Sequence, residues 1–383
     1  MIYLDYNASA PLHEAAYEAM QPFLGERSAN ASSLHRLGRE ARDAVEQARE
    51  YVGALMGAGS PENVFFTSGG TESDVWALRG VFEQKSNTER NSLLVSTVEH
   101  PAVLDTAAYL SKHGVDVQYI EVDSTGCLYR LPVTKKTRLV SVMAANNETG
   151  NLYNLKSMAL WAQREGALIH TDAVQALGKI PVNVNQWGVD FCSVSAHKIG
   201  GPQGVGALYV HPDTSIGPLI TGGGQERGHR SGTLNVAGIV GFGAVAKAIA
   251  GKIDERSRRM AALRDRLESQ ILTALKTVHV LGDLEHRLPN TTLLTVPGIK
   301  GEAIVLEMDA VGVAISTGAA CSSGSGEPSS VLTAMRLANP KIQGAIRFSV
   351  GVENTEEEMD QAANAFIQCV ERLLTVAGQI ENV

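Results

Sequence analysis

Five short apolar runs between residues 60 and 210 each end on side chains that can do chemistry. The first ends in Ser68-Gly69-Gly70-Thr71, the second in Glu99-His100, the third in Asn146-Asn147-Glu148. The fourth ends in Thr171-Asp172 with Gln175 close behind, and the last in Ser195-Ala196-His197-Lys198. Each has an ordinary explanation when read alone. TSGGTES is a strand–glycine–helix transition whose helix-start amides can bind a phosphate, yet such a stretch is a plain capped helix start at least as often. It is neither a G-K-[ST] loop nor a G-x-G-x-x-G fingerprint, so nucleotide binding has little support. Asp172 closes a strongly apolar strand, where an ionised carboxylate needs a cationic partner; a helix cap or a salt bridge would also satisfy it. Lys198 follows another apolar strand and leads into IGGPQG. A partly buried lysine has a lowered pKa and can form an imine, whereas a lone lysine on a turn is more often a surface group.

Taken together, the five closures favour a site, because ligands of an open parallel sheet bind beyond the carboxyl ends of its strands. A phosphate cup, a buried aspartate and an imine-forming lysine are jointly what pyridoxal phosphate needs. Amides hold its phosphate, a carboxylate keeps its pyridinium nitrogen protonated, and its aldehyde joins the lysine. His100 would then stack on the ring, a satisfied core histidine being the competing reading. Gln175 or Asn147 would hydrogen-bond the ring oxygen.

The elements that must position these groups alternate along the chain. ENVFFTS, SLLVSTVEH, VDVQYIEVD, RLVSVMAANNETG, ALIHTDAVQALG, VDFCSVSAHKIGG and GVGALYV read as strands. Amphipathic helices lie between several of them, with Gly114 and Gly166 as stops. This pattern predicts an α/β fold, a largely parallel sheet flanked by helices. REARDAVEQAREYVGALM repeats apolar residues at 41, 44, 45, 48, 52 and 55, a helical period. After about residue 245 the text changes to one long charged helix (AKAIAGKIDERSRRMAALRDRLESQILTAL) and short strands such as TTLLTV and AIRFSV. A final helix starts near Asn354–Thr355, where Glu356, Glu357 and Glu358 suit the positive end of its dipole. The expectation is a large domain over 15–250 and a smaller α+β domain built from 1–14 with 251–383.

Composition narrows the function classes. The chain has 383 residues, 44% hydrophobic and 19% charged, enough apolar content to bury sizeable cores. A net charge of -8 argues against a broad nucleic-acid footprint, which needs a basic face. No signal peptide is visible, and the longest uncharged apolar stretch, in VAGIVGFGAVA, is too short to cross a bilayer, so a cytoplasmic location is the default expectation. Cys127, Cys192, Cys321 and Cys369 form no C-x-x-C pair, which supports neither a zinc ribbon nor a thioredoxin-type motif, and no metal site is expected. Cys192 and Cys369 fall in apolar settings and read as core thiols, Cys127 as a turn residue. Cys321 stands apart, in the small, polar stretch STGAACSSGSGEPSS over 316–330, whose composition is that of a mobile linker.

At this point the chain resembles, almost end to end, the cysteine desulfurases of the NifS/IscS-like group, in the fold-type I, class V aminotransferase lineage. The resemblance is carried in order by YLDYNASAP, NASSLHRLG, FTSGGTES, VEHPAV, NNETG, HTDAVQALG, SAHKIGGPQGVGALYV, GGGQERGHRSGT, STGAACSSGSGEPS and IRFSVG. It implies a pyridoxal-phosphate-dependent transferase with a seven-stranded, mostly parallel sheet. Lys198 would bear the cofactor, Asp172 would face the pyridine nitrogen, and His100 would stack over the ring and shuttle protons. Gln175 would touch the ring oxygen, while Gly70, Thr71, Ser195 and His197 would bind phosphate. Thr233 would reach the phosphate of a neighbouring subunit, which implies a homodimer. Arg347 would clamp the substrate carboxylate with help from Asn147; a structural salt bridge is its plainer reading. Cys321 would be the nucleophile. Ser9, Ala10 and Ala31 depart from the commonest family pattern without touching the central chemistry, and Glu327-Pro328-Ser329 keeps the spacing of the long-loop group.

The activity so implied is conversion of L-cysteine to L-alanine, with sulfur retained as a persulfide on Cys321 and passed to a protein acceptor. Iron–sulfur cluster assembly and thiolation pathways both use such sulfur. A mobile stretch suits a thiol that must first reach the substrate and then an acceptor. Two alternatives stand beside it: another class V enzyme (a selenocysteine lyase or an aminotransferase), and a non-catalytic sulfur-transfer scaffold.

Overall fold

The computed structural model describes residues 1–84, 89–129, 132–318, 328–376 and 378. The chain opens on a two-residue strand, β1 (Ile2–Tyr3), followed by helices Glu14–Leu24 and Arg36–Met56. Seven strands then form the main sheet: β2 (Val64–Thr67), β3 (Ser92–Ser96), β4 (Asp116–Ile120), β5 (Thr137–Ser141), β6 (Leu168–Asp172), β7 (Phe191–Ser195) and β8 (Gly206–Val210). Their order is β2-β8-β7-β6-β5-β3-β4. All neighbours are parallel except β8, which runs antiparallel to both β2 and β7. The expected α/β architecture with a mostly parallel seven-stranded sheet is therefore present.

Strand alternation explains how the sheet is held. Phe65, Leu93, Val95, Leu139, Phe191 and Leu208 point to one face, where they pack with Trp76 and Leu78 of helix Gly70–Phe82 and Val103 of helix Pro101–Lys112. Their neighbours Phe66, Leu94, Val140, Ile169, Cys192 and Val194 point to the other, onto Val45 and Val52 of helix Arg36–Met56 and Phe242 of helix Val236–Ile249. Successive residues of a strand face opposite sides, so a sheet covered on both faces must be apolar nearly throughout. The edge strand β4 carries exposed Asp116, Gln118 and Tyr119, as an edge without a strand partner on one side tolerates.

The remaining strands are short: β9 (His279–Leu281), β10 (Thr291–Thr295), β11 (Val313–Ala314), β12 (Ser316–Thr317) and β13 (Ala345–Ser349). Four of them form an antiparallel sheet in the order β12-β13-β10-β9, and β1 pairs in parallel with β11. Leu4 joins Leu263, Leu267, Ile271, Phe348, Phe366 and Val370 in one core beneath helices Ile253–Ala274 and Glu356–Val376. The last helix begins where the sequence places it. Its start is a reciprocal cap in which Glu358 N donates to Thr355 Oγ1 and Thr355 N donates to Glu358 Oε2.

One expectation is corrected. The single long charged helix after residue 245 is two helices, Val236–Ile249 and Ile253–Ala274, bent 82° apart. Gly251 between them adopts φ +75, a left-handed conformation that ends a helix and that side-chain-bearing residues avoid. No single helix among the described residues is long and apolar enough to cross a membrane. Cys192 and Cys369 are buried, as their apolar settings predict, and Cys127 is half-buried.

Candidate functional site

The strand closures converge. Ten residues named from the sequence line a single cavity of about 280 Å³: Gly70, Thr71, His100, Asn147, Asp172, Gln175, Ser195, His197, Lys198 and Arg347. β2 delivers the first pair through the start of helix Gly70–Phe82, whose N-cap Gly69 makes no side-chain cap hydrogen bond. The first-turn amides thus lack the side-chain acceptor that usually satisfies them, an arrangement suited to an anion. A Cβ on Gly70 would stand 2.7 Å from Val174 Cγ2, so any side chain here would force Val174 to shift. His100 is the N-cap of helix Pro101–Lys112, and its Nδ1 accepts the Ala102 N–H at 3.1 Å, which fixes the ring.

Asp172 ends β6, and its Oδ1 accepts the Val174 N–H at 2.8 Å. Among the described residues it forms no ion pair with a lysine or arginine. Burial pushes its carboxyl up to about 7, and the neighbouring Asp74 charge adds to this, against weaker pulls from His100, the Val174 amide and His170. A carboxyl so placed ionises readily only when a cation arrives beside it. His197 shares a 3.2 Å hydrogen bond with Ser9 Oγ. Burial first, then the charges of Lys198 and Lys179, push its imidazole down to about 4, so it is neutral near pH 7.

Lys198 Nζ donates to the carbonyls of Asn7 (2.6 Å) and Ala8 (2.7 Å). Arg347, on β13, is 1% exposed. Its Nη2 meets Asp5 Oδ1 at 2.6 Å and its Nη1 donates to Asn147 O at 2.8 Å, while its buried Nε has no partner among the described residues. The salt bridge anticipated as its plainer reading exists, and the guanidinium still lines the cavity.

Thr233 is exposed and does not line this cavity; it sits on a smaller one of about 200 Å³ with Ser68 and Arg230. Cys321 lies outside the described residues, as do its neighbours over 319–327. The described residue before them, Gly318, donates its N–H to Ala345 O, and Ser329 beyond them caps helix Ser330–Ala334. Ser329 Oγ donates to Glu148 Oε2 at 2.5 Å. Burial pushes the Glu148 carboxyl up to about 7, against the pull of this bond and of the charges on Arg347 and His100.

Three participants escaped the sequence reading of roles. Asn7 is the hub of the site. Its carbonyl accepts from Lys198 and from Gln175 Nε2 (2.9 Å), its Oδ1 accepts from Lys179 Nζ (2.8 Å) and Asn290 Nδ2 (3.0 Å), and its Nδ2 donates to Thr291 Oγ1 (2.9 Å). Nothing local signals this, since every one of these side-chain partners, Asn147 O included, lies 140 or more residues away. Asp74 lines the cavity from the buried face of helix Gly70–Phe82, with its carboxyl pushed up to about 7 by burial. A charged residue on an apolar helical face was the available signal. Lys179, 4% exposed, is the third.

Comparisons with known proteins agree with this geometry. Residues 2–362 match the aminotransferase class-V family model. A cysteine desulfurase of Gluconacetobacter diazotrophicus is 45% identical over 377 residues, 97% of this chain and 94% of its own length. The chain belongs to the cysteine desulfurases of the class-V aminotransferase family. Among solved structures, a NifS-like protein superposes with TM-score 0.90 at 38% identity, covering 98% of this chain and 99% of its own. The structure of SspA in complex with cysteine superposes with TM-score 0.80 at 29% identity, covering 93% and 100%.

Proposed function

We propose that the chain converts L-cysteine to L-alanine with pyridoxal phosphate as its resident cofactor and holds the sulfur as a persulfide on Cys321. The observation that carries this reading is the cavity in which Lys198, Asp172 and Arg347 meet beside an uncapped helix start. Pyridoxal phosphate, when bound, supplies an aldehyde for amines and an electron sink for cleavage of bonds at the α-carbon. The donor set fits it: Gly70, Thr71, Ser195 and His197 for the phosphate, Asp172 for the pyridine nitrogen, Gln175 for the ring oxygen, His100 over the ring face and Lys198 for the aldehyde. The neutral His197 would donate to phosphate without adding a cation.

The chain's own groups then have distinct tasks. Arg347 and Asn147 hold the substrate carboxylate, an arrangement for which the planar guanidinium fork is suited. Lys198 takes the α-proton, its Nζ aimed by the carbonyls of Asn7 and Ala8. Cys321 attacks the substrate sulfur as thiolate, with His100 accepting its proton. The S–S bond forms as the carbon–sulfur bond breaks. The electron pair of that bond stays with the carbon skeleton, which takes the proton from His100 at its β-carbon, regains one from Lys198 at its α-carbon and leaves as alanine.

The shared core of Leu4 with residues beyond 260 supports a smaller unit made of 1–14 with 251–383 around a larger one over 15–250. The exposure of Thr233 outside its own chain's cavity supports a homodimer in which it serves the partner's phosphate. A protein acceptor in the cytoplasm, in iron–sulfur assembly or thiolation, completes the reading. The test is product analysis of the purified enzyme with cysteine. Alanine and sulfide in equal amounts with a thiol reductant support the proposal, and a keto acid in their place contradicts it.

A further inference from the structure

We propose that Lys179 is a positioning residue that, through Asn7, keeps the amine of Lys198 poised to give up its proton. This rests on the reading of Lys198 as the cofactor-bearing lysine. Both lysines are anchored on the same asparagine: Lys179 Nζ donates to Asn7 Oδ1 at 2.8 Å, and Lys198 Nζ to Asn7 O at 2.6 Å. Gln175 closes the ring, donating from Nε2 to Asn7 O at 2.9 Å and accepting from Lys179 Nζ on Oε1 at 2.6 Å.

Lys179 is 4% exposed, and among the described residues its hydrogen bonds go to amide oxygens and none to a carboxylate. A buried ammonium is normally neutralised by a paired acid. Here the charges acting on it are those of Lys198 and Arg347, and burial and both cations push its pKa down. The coupling is mutual: a positive charge on either amine disfavours one on the other. A neighbouring cation is an established way to make a lysine amine reactive near neutral pH.

Among the described residues, both cavities that Lys198 lines carry charged groups that bear on this coupling. Lys198 lines both the cavity already described and a second one of about 290 Å³, which Lys179 also lines. The second cavity brings Tyr6, His13 and Glu14 from the N-terminal segment, Arg256 from helix Ile253–Ala274, and Glu353. The first brings Asp74, His100, Asp172, His197 and Arg347. Asp74 and Asp172 both resist ionisation through burial, and Arg347 is engaged with Asp5.

The test is a pH titration of the visible absorption band of the holoenzyme, with wild type, Lys179→Met and Lys179→Arg side by side. Lys179→Met is expected to raise the midpoint by about one pH unit or more. The rising limb of the pH profile of alanine formation is expected to move the same way. Lys179→Arg, which keeps the charge, returns both toward wild type. An unmoved midpoint in folded Lys179→Met overturns the proposal, as does an equal shift in Met and Arg variants. If Lys179→Met does not fold, Lys179→Gln against Lys179→Arg makes the same comparison, and equal midpoints overturn it. Borohydride reduction with peptide mapping separates the two readings. A label absent from Lys198 sinks the assignment of that lysine, whereas a label on Lys198 with an unmoved midpoint sinks the role of Lys179 alone.

Discussion

Replacing Asp172 by asparagine is expected to stabilise the cofactor-free enzyme and weaken its hold on cofactor. The carboxyl is displaced from an ordinary value of 3.8 to about 7 by burial and by Asp74. That rise of roughly three pH units corresponds to about 4 kcal/mol against the ionised form. The direction in pH follows from proton counts. Between the unfolded value near 4 and the folded value near 7 the native state binds more protons, so the Asp172 contribution falls as pH rises through that window and is flat above it. Asparagine has no such titration. Urea unfolding of cofactor-free wild type and Asp172→Asn should therefore show a stability gap that widens in favour of the variant by about 4 kcal/mol between about pH 4 and pH 8. On the proposed reading, a bound cofactor's protonated pyridine nitrogen would give Asp172 a cation, so the variant should bind cofactor more weakly. A gap independent of pH, or cofactor affinity unchanged in the variant, would refute the idea that Asp172 is held for a cation.

Arg347→Lys should raise the KM for cysteine about 10- to 100-fold with a smaller change in kcat, because the bidentate fork to the carboxylate is lost; steady-state kinetics check this. Glu226→Gln should cost about 3–5 kcal/mol in urea unfolding. It breaks a pair in which Arg49 and Glu226 meet at 2.8 Å with side chains 3% and 1% exposed. The exposed Arg79–Glu83 pair is the control, and Glu83→Gln should change stability by less than about 1 kcal/mol.

The sequence exposed much of the cavity's lining because most of those groups end or follow a recognisable apolar run. Asp172, His197 and Lys198 needed only the rule that ligands sit beyond strand ends. Arg347 was read by resemblance, and its double engagement with Asp5 and Asn147 is visible only in three dimensions. Asn7 shows why the rest was hidden: its seven-residue N-terminal position gives no periodicity, and its role exists only after β1 has paired with β11 and the chain has crossed to Ser349 and Lys198. The break at Gly251 was missed for a different reason. Charge and apolar spacing run on through the glycine, and only its left-handed φ separates the two helices.

The most direct test of the central claim is intact mass and peptide mapping of the enzyme after brief exposure to cysteine without reductant. The expected result is one added sulfur atom on Cys321, matched by one alanine released and absent in Cys321→Ser, with the cofactor still bound. Normal alanine and sulfide formation by Cys321→Ser, or the added sulfur on Cys127, Cys192 or Cys369 instead, would contradict it.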